Sequence, residues 1–599
     1  MNLVKIFFEQ ARRLDQKVAM KVKRNDVYFD ISWREFAVKV EEVAGGLLAA
    51  GLEKGQKVAL LSENRPEWAF ADLGILACAC ADAPVYPTNL APQVEYIVND
   101  SDSVFLFVSN ADQLKKSLAI VDKCPKLKKI IVFEDMGETE SLRHERVMTL
   151  SQLLSTGREW LKKNRASFEA GWQNINDDDL ATLIYTSGTT GDPKGVMLTH
   201  GNFITNVAAS SNCVRVDGND VFLSHLPLSH VFERMAGYYL PIYNGAVIAY
   251  AESIEKVSQN MMEVRPTIMI SVPRLFEKIF DRIYDGAQQS KGLKKQLIFW
   301  AFGVADQLSA ALRENRQPGA WLLWQRKLAK KLVFSKLGEK LGGRLRFFIS
   351  GGAPLPQKIA EFFYGTGYPI YEGYGLTETS PVLAVNYPGH MKFGMVGPVL
   401  EGVDLKIAAD GEIIAKGPNI ALGYYKNQAA TDEAFVDGWF HTGDVGVLDA
   451  ENYLKITDRK KDLIVTAGGK NIAPQHLENL LKMDKYITEA MLYGDRRKFI
   501  SALLVPDFEK VEEYALKNDI LFTDRKGLLE NPEIRAMLGR RIEKVHQENN
   551  IPSYEQIKKF VTLDSEFTMD KNEVTPTLKL RRKIVTAKFQ KELDALYEE

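Results

Sequence analysis

The sequence predicts an α/β protein built on largely parallel sheets, and three observations carry that prediction. Apolar runs of strand length recur between Lys57 and Gly352: KVALLSEN, VFLFVSN, KIIVFED, LATLIYTSG, AVIAYAE, TIMISVP and RLRFFISGG. Amphipathic stretches lie between them, and Arg34–Leu52 has the spacing of a helix. Strands that alternate with helices form parallel sheets through crossover connections. No repeat of fixed period is present, which removes solenoids and propellers from consideration.

Taken in order, the elements set the domain plan. The N-terminal run MNLVKIFFEQARRLDQ is too short in apolar residues for a signal peptide and meets acidic residues at once. Residues 291–340 carry eleven Lys or Arg against three Asp or Glu, and Trp321, Trp324, Leu328 and Leu332 share one helical face. That segment reads either as a helical excursion packed on the main body or as a membrane or partner face. After about residue 400 the texture changes. DLKIAADGEIIAKGPNI reads as two short strands around an Asp-Gly turn. GWFHTGDVGVLDAENYLKITDRKKDLIV reads as a run of strands and turns. The polar cluster Asp458–Lys461 between two apolar strands suits a hinge. The chain is therefore divided into a large domain (1–457), a hinge (458–461) and a smaller α+β domain (462–599) that ends in the basic tail KLRRK.

Composition narrows the function. The chain has 599 residues, too many for one ordinary core, and a net charge of -1, which gives no reason to expect nucleic acid as a partner. Four cysteines are too few for a disulfide framework, and Cys78 and Cys80 fall in the apolar run ILACACADAPV as buried thiols. The eight histidines show no zinc-ligand spacing. No stretch approaches the roughly 18 apolar residues that span a bilayer, so the reduced cytosol is the expected location.

Three segments carry chemistry. Tyr185-Thr-Ser-Gly-Thr-Thr-Gly-Asp-Pro-Lys-Gly195 follows the apolar run LATLI. Its glycines let backbone approach an anion, its hydroxyls donate, and Lys194 brings charge. The spacing is not that of P-loop NTPases. Tyr371-Glu-Gly-Tyr-Gly-Leu-Thr-Glu-Thr379 alternates glycine with tyrosine, just after an expected apolar strand, and can stack a ring on a purine. Its Glu378 is a hard oxygen ligand suited to Mg²⁺. Ser350-Gly-Gly-Ala-Pro354 leads out of another strand and can wall the same pocket. In Trp439-Phe-His-Thr-Gly-Asp444, an aspartate after a glycine turn at a strand end can accept from both hydroxyls of a ribose.

In this combination and order the segments resemble the adenylate-forming (ANL) superfamily: acyl-CoA synthetases, luciferases and peptide-synthetase adenylation domains. The resemblance spans nearly the whole chain. It implies stacked α/β sheets with a β-barrel-like subdomain in the large domain, and a small mobile C-terminal domain. By that resemblance, Thr186, Ser187, Gly188, Thr189, Thr190, Gly191 and Lys194 grip the β- and γ-phosphates of ATP. Gly351, Gly352, Ala353, Glu372, Gly373, Tyr374 and Gly375 line the adenine. Thr377 and Glu378 meet the α-phosphate and Mg²⁺, with Thr186 as a second metal contact. Asp444 holds the ribose, and Arg459 lies near phosphate or ribose. Lys579, in TPTLKLRRK, bridges the carboxylate and the α-phosphate, where a cation offsets the repulsion of two anions. Lys461 is the pivot, and Gly468, Gly469 and Lys470 help form a tunnel for the pantetheine of coenzyme A. Many relatives have Gly-Arg where this chain has Asp458-Arg459.

LPLSHVFER, SVPRLFEKI and SENRPEW resemble the long-chain fatty acyl-CoA synthetases within that superfamily. The implied activity joins a long-chain fatty acid to coenzyme A by way of an acyl-adenylate, with His230 near the acyl and pantetheine channels. Delivery to a carrier-protein thiol, and a shorter or aryl acid, are the alternatives. A decayed, non-catalytic scaffold is disfavoured because Lys194, Thr377, Glu378, Asp444, Arg459 and Lys579 are all present. A homodimer, and peripheral contact with the inner face of a membrane through 291–340, stay open.

Overall fold

The computed structural model describes all residues except 138–139, 187–191, 569, 576–579 and 599. The predicted apolar runs are strands. Lys57–Leu61, Ala81–Val85, Ser103–Val108, Lys129–Val132, Val147–Thr149 and Leu180–Thr186 pair in parallel. Lys194–Thr199 closes that seven-stranded sheet antiparallel to its neighbour. In the second sheet, of eight strands, Val247–Tyr250, Val221–Ser224, Ile268–Ser271, Phe347–Ser350 and Ile370–Gly375 run parallel. Val382–Val385 lies antiparallel at one edge, and the hairpin of Val18–Arg24 and Val27–Ser32 closes the other. Parallel sheets are covered on both faces, which is why Leu60, Phe105, Phe107, Phe222 and Phe348 are all buried. One expectation changes here. The YEGYG segment does not follow an apolar strand; it forms the last parallel strand itself.

The helix expected over 34–52 runs over Trp33–Ala49. Ser32 starts it: its hydroxyl takes the Glu35 N–H at 3.2 Å, and the Glu35 carboxylate returns to the Ser32 N–H at 2.7 Å. It ends before the expected boundary because Gly51, at φ 86°, turns the chain away.

One buried ionic network ties the large domain together. Arg234 clasps Asp82 with two hydrogen bonds (2.8 and 2.7 Å), donates to Thr182 (2.9 Å) and pairs with Asp72, while Trp68, Phe203 and Tyr239 surround its guanidinium. Asp72 lies on the helix Pro66–Ala77 and Asp82 and Thr182 on neighbouring strands, so a single side chain joins elements far apart in sequence.

The hairpin predicted around Asp410-Gly411 is present as Asp404–Ile407 and Glu412–Lys416. With Phe435–Val436, Trp439–Leu448 and Leu454–Arg459 it makes a five-stranded sheet. This is the expected barrel-like subdomain, although no pairing joins its outermost strands among the described residues. Beyond it, Ile487–Tyr493, Ile500–Pro506 and Ile557–Thr562 form a three-stranded sheet packed by Pro474–Lys482, Phe508–Lys517 and Pro532–Glu548, with cores of its own around Leu503, Val511 and Leu538 and around Ile500, Leu504 and Ile542.

The basic segment packs one face on the main body, as one of its readings expects, and leaves another face exposed. Phe302, Ala305 and Leu308 of the helix Gly292–Arg313 pack into a core with Phe276, Phe362 and Phe363. On the following helix, Ala320–Ala329, Leu322 and Ala329 are buried, Leu328 is half-buried, and Trp321 and Trp324 are exposed, as is Leu332 beyond it. Among the described residues no helix is long and apolar enough to cross a membrane. All four cysteines are free.

Candidate active site

The strands of the second sheet end at a deep cleft between the large and small domains, the edge at which open parallel sheets bind ligands. Thr186, Lys194, His230, Gly351, Gly352, Ala353, Glu372, Gly373, Tyr374, Gly375, Thr377, Glu378, Asp444, Arg459 and Lys461 all line it. Ser187, Gly188, Thr189, Thr190, Gly191 and Lys579 lie outside the described residues. Val574, Thr575 and Leu580, on either side of the latter segment, line the same cleft. Gly468, Gly469 and Lys470 do not: they form the exposed turn between Ile464–Val465 and Asn471–Ile472.

On the strand Ile370–Gly375, alternate residues share a face, so Glu372 and Tyr374 both project toward the cleft. Glu372 is buried, and its Oε1 has no hydrogen-bond partner among the described residues. Burial pushes its carboxyl up to about 8, with the Leu355 N–H pulling the other way. At neutral pH this side chain is a largely protonated carboxyl facing the SGGAP loop. Tyr374 donates to Asp444 Oδ2 at 2.7 Å. Gly375 is required by contact, since a Cβ there would stand 1.6 Å from the Pro381 carbonyl oxygen.

Thr377 and Glu378 lie on the short helical turn that follows. Glu378 Oε1 accepts from the Tyr424 hydroxyl at 2.8 Å, which fixes the carboxylate, and its second oxygen takes no hydrogen bond among the described residues. Lys194 sits over the Tyr424 ring at 4.9 Å. One tyrosine thus holds an anion and a cation at neighbouring points of the cleft. Among the described residues no group of three or more His, Cys, Asp or Glu could enclose a metal. A single oriented carboxylate suits Mg²⁺ that arrives with phosphate oxygens already around it.

Asp444 is not at a strand end, as expected, but inside Trp439–Leu448. The bulge around Gly443 (φ 71°) re-aims the strand, and the carboxylate faces the cleft. Across the ladder it meets Arg459, Nε to Oδ1 at 3.1 Å. His230 accepts the Phe232 N–H on Nδ1 at 3.2 Å, an arrangement that puts the proton of the neutral ring on Nε2.

Residues 458–461, the expected hinge, are anchored unequally. Asp458 is buried, takes the Arg459 N–H at 2.6 Å and the Gln475 N–H at 3.2 Å, and burial pushes its carboxyl up to about 6. Lys460 is bound to Asp410 (2.6 Å) and Glu412 (2.9 Å) of the large domain. Lys461 is exposed, and its side chain makes no hydrogen bond or ion pair among the described residues. Across the cleft, Arg274 Nη1 meets Glu489 Oε1 at 2.8 Å, joining the large domain to the small one.

Val214, Val231, Phe232, Met235, Ala236, Leu240, Val382 and Val385, with Ser210, add apolar lining to the cleft. Its wall includes a widened helical turn, Glu233–Tyr239. Neither this apolar lining nor Tyr424 follows from the sequence reading. The paired tyrosines of GYYKN are the one local signal for the latter.

A sequence profile described as AMP-binding enzyme matches residues 7–425, and one described as AMP-binding enzyme C-terminal domain matches 461–599. The long-chain-fatty-acid–CoA ligase FadD15 of Mycobacterium tuberculosis is 34% identical over 100% of this chain and 97% of its own length. The peroxisomal long chain acyl-CoA synthetase 7 of Arabidopsis thaliana is 32% identical over 97% of this chain and 83% of its own. Among solved structures, the adenylation domain of a Mycobacterium chelonae carboxylate reductase superposes with a TM-score of 0.77 at 21% identity, covering 100% of this chain and 91% of that one. The anthranilate CoA ligase AuaEII, solved with anthranoyl-AMP, gives 0.71 at 19% identity over 99% and 98%. These structures share the fold; the profiles and full-length relatives fix the family. The chain belongs to the AMP-binding, adenylate-forming enzymes, in the branch that holds the long-chain-fatty-acid–CoA ligases.

Proposed function

We propose that this protein activates a long-chain fatty acid with ATP, releasing pyrophosphate, and passes the acyl group from the adenylate to coenzyme A, releasing AMP. The observation that carries the substrate class is the full-length similarity to long-chain-fatty-acid–CoA ligases, supported by the apolar residues that line part of the cleft.

Each residue has a physical task in this reading. The segment 186–194 and Lys194 hold the phosphates. Glu372 and the Gly351–Ala353 loop meet the adenine edge, and Tyr374 lies under it. Asp444, oriented by Tyr374 and Arg459, accepts from the ribose hydroxyls. Thr377 donates to the α-phosphate. Glu378 and Thr186 would hold Mg²⁺, which neutralises phosphate charge when bound. Lys579 brings a cation to the point where the carboxylate oxygen attacks the α-phosphorus. The small domain then turns about Lys461, the first hinge residue without a side-chain anchor, and Gly468, Gly469 and Lys470 come round to form the thiol channel. The coenzyme A thiolate attacks the acyl carbon beside His230, and AMP leaves. The large domain is 1–457, the hinge 458–461 and the small domain 462–599. A homodimer and a peripheral membrane contact through 291–340 complete the reading.

The test is acid-dependent exchange of labelled pyrophosphate into ATP, followed by AMP formation across acids from acetate to arachidate plus aryl acids, with coenzyme A. AMP and pyrophosphate with a long-chain optimum are expected. ADP as product would remove the adenylate route, and an optimum for aryl or short acids would reassign the substrate.

A further inference from the structure

Helix Ala320–Ala329 buries Leu322 and Ala329 and turns two tryptophans outward. Trp321 is 67% exposed and Trp324 52%. The indoles stack on each other, centroids 4.8 Å apart at 13°, and Leu323 beside them is 40% exposed. Two bare indoles side by side are costly in water, and a stacked pair presents one continuous apolar ridge.

Charge surrounds the ridge. Lys327 and Lys331 follow Trp324 at helical spacings of three and seven, so they flank it on the outward side, and Arg326 and Lys330 follow. Among the described residues, the ion pairs of 291–340 are confined to Arg313–Glu361 and Arg316–Glu314. The cations at 326, 327, 330 and 331 therefore have no ion-pair partner among the described residues. Indoles that prefer a water–hydrocarbon boundary, set beside unpaired lysines, match the chemistry of an anionic lipid surface.

We propose that the Trp321–Trp324 ridge with Arg326, Lys327, Lys330 and Lys331 docks the protein on an anionic bilayer. None of these residues lines the catalytic cleft. The docking is thus separable from the chemistry, and its failure would leave the proposed reaction untouched. The face gives the proposed peripheral contact its residues, and it sets the enzyme on the phase into which long-chain acids partition.

The purified full chain is sedimented with vesicles of phosphatidylcholine alone, and of phosphatidylcholine mixed with phosphatidylglycerol. Salt is raised from about 0.01 to about 0.15 M, over which the screening length contracts from about 30 to about 8 Å. The expected result is retention on the anionic vesicles that weakens with salt, with a blue shift of indole emission. Lys327→Gln/Lys330→Gln/Lys331→Gln should weaken retention about a hundredfold. Trp321→Ala/Trp324→Ala should weaken it about tenfold or more and abolish most of the blue shift. Both variants should form AMP from a water-soluble short acid at the parent rate. Retention indifferent to salt and lipid charge, or unchanged in both variants, would overturn the proposal. So would a chain that sediments as a dimer and becomes monomeric when the tryptophans are removed, because the face would then belong to a second copy.

Discussion

Arg234 lies between Asp72 and Asp82 with no part of the three side chains exposed, whereas Arg459 faces Asp444 with 43% of its own side chain open. Both arginines have aspartate and tyrosine neighbours. In the first cluster the donors of Arg234 are met by Asp72, Asp82 and Thr182, with the Tyr239 hydroxyl alongside. In the second, Asp444 is held by Tyr374 and Arg459 at the edge of a cleft. A sealed ionic network fixes where elements sit; an open one keeps oriented charge available to a ligand. The contrast predicts that stability will follow the first and catalysis the second.

The largest effect should come from Arg234→Met. It leaves Asp72 and Asp82 buried without their counter-ion, which costs about 3–5 kcal/mol. Urea unfolding should show a midpoint lowered accordingly, or no folded protein at all. A parent-like midpoint would mean that the network is not structural. Lys579→Ala should slow adenylation by about a hundredfold or more, yet leave thioester formation from supplied acyl-AMP near the parent rate. Equal losses in both steps would make Lys579 structural. Lys461→Pro fixes φ near -65° and removes an N–H. It should impair thioester formation strongly while sparing pyrophosphate exchange; a folded variant normal in both steps would move the pivot elsewhere. Asp444→Asn should raise the KM for ATP by about tenfold, the loss of a charge-assisted hydrogen bond of about 1.5 kcal/mol, with the unfolding midpoint nearly unchanged. A large fall in that midpoint would erase the contrast with Arg234.

The smallest test concerns Glu372. Its folded pKa of about 8 lies above an unfolded value of about 4.3. Between the two, the folded state holds a proton that the unfolded state has lost. This residue's contribution to stability is therefore present below about pH 4, falls as pH rises toward 8, and then levels off. Melting of the ligand-free chain at pH 5 and pH 8 (about the two ends of that window) should differ less in Glu372→Gln than in the parent. Identical differences would mean that the carboxyl is already ionised in the folded protein.

The sheets were legible in the sequence because buried parallel strands must be short continuous apolar runs, and LATLIYT and RLRFFIS are such runs. The segments that line the cleft were legible because glycine, hydroxyl and charge are concentrated in them. The Arg234 network was not, because its partners stand 152 and 162 residues away and each is one ordinary aspartate. Tyr424 was missed for a related reason: its role is a contact with Glu378, 46 residues earlier. The placement of Asp444 inside a strand depends on a bulge, and a bulge is a matter of register that composition does not encode. Residues 291–340 pack one face on the main body and leave Trp321 and Trp324 exposed, since a helical periodicity defines an apolar face without saying what will cover it.

The bond between Arg274 and Glu489 has a consequence for timing. It joins the two domains through side chains that are 42% and 27% exposed, and a pair that accessible contributes about 1 kcal/mol or less. That much bias corresponds to a ratio of about five to one between two arrangements. In the rotation proposed above, a clasp this light would let the small domain leave and return without a large barrier from this contact. If the domains turn as proposed, salt, which screens exposed charge, would act as a throttle on how long they stay together in each turnover.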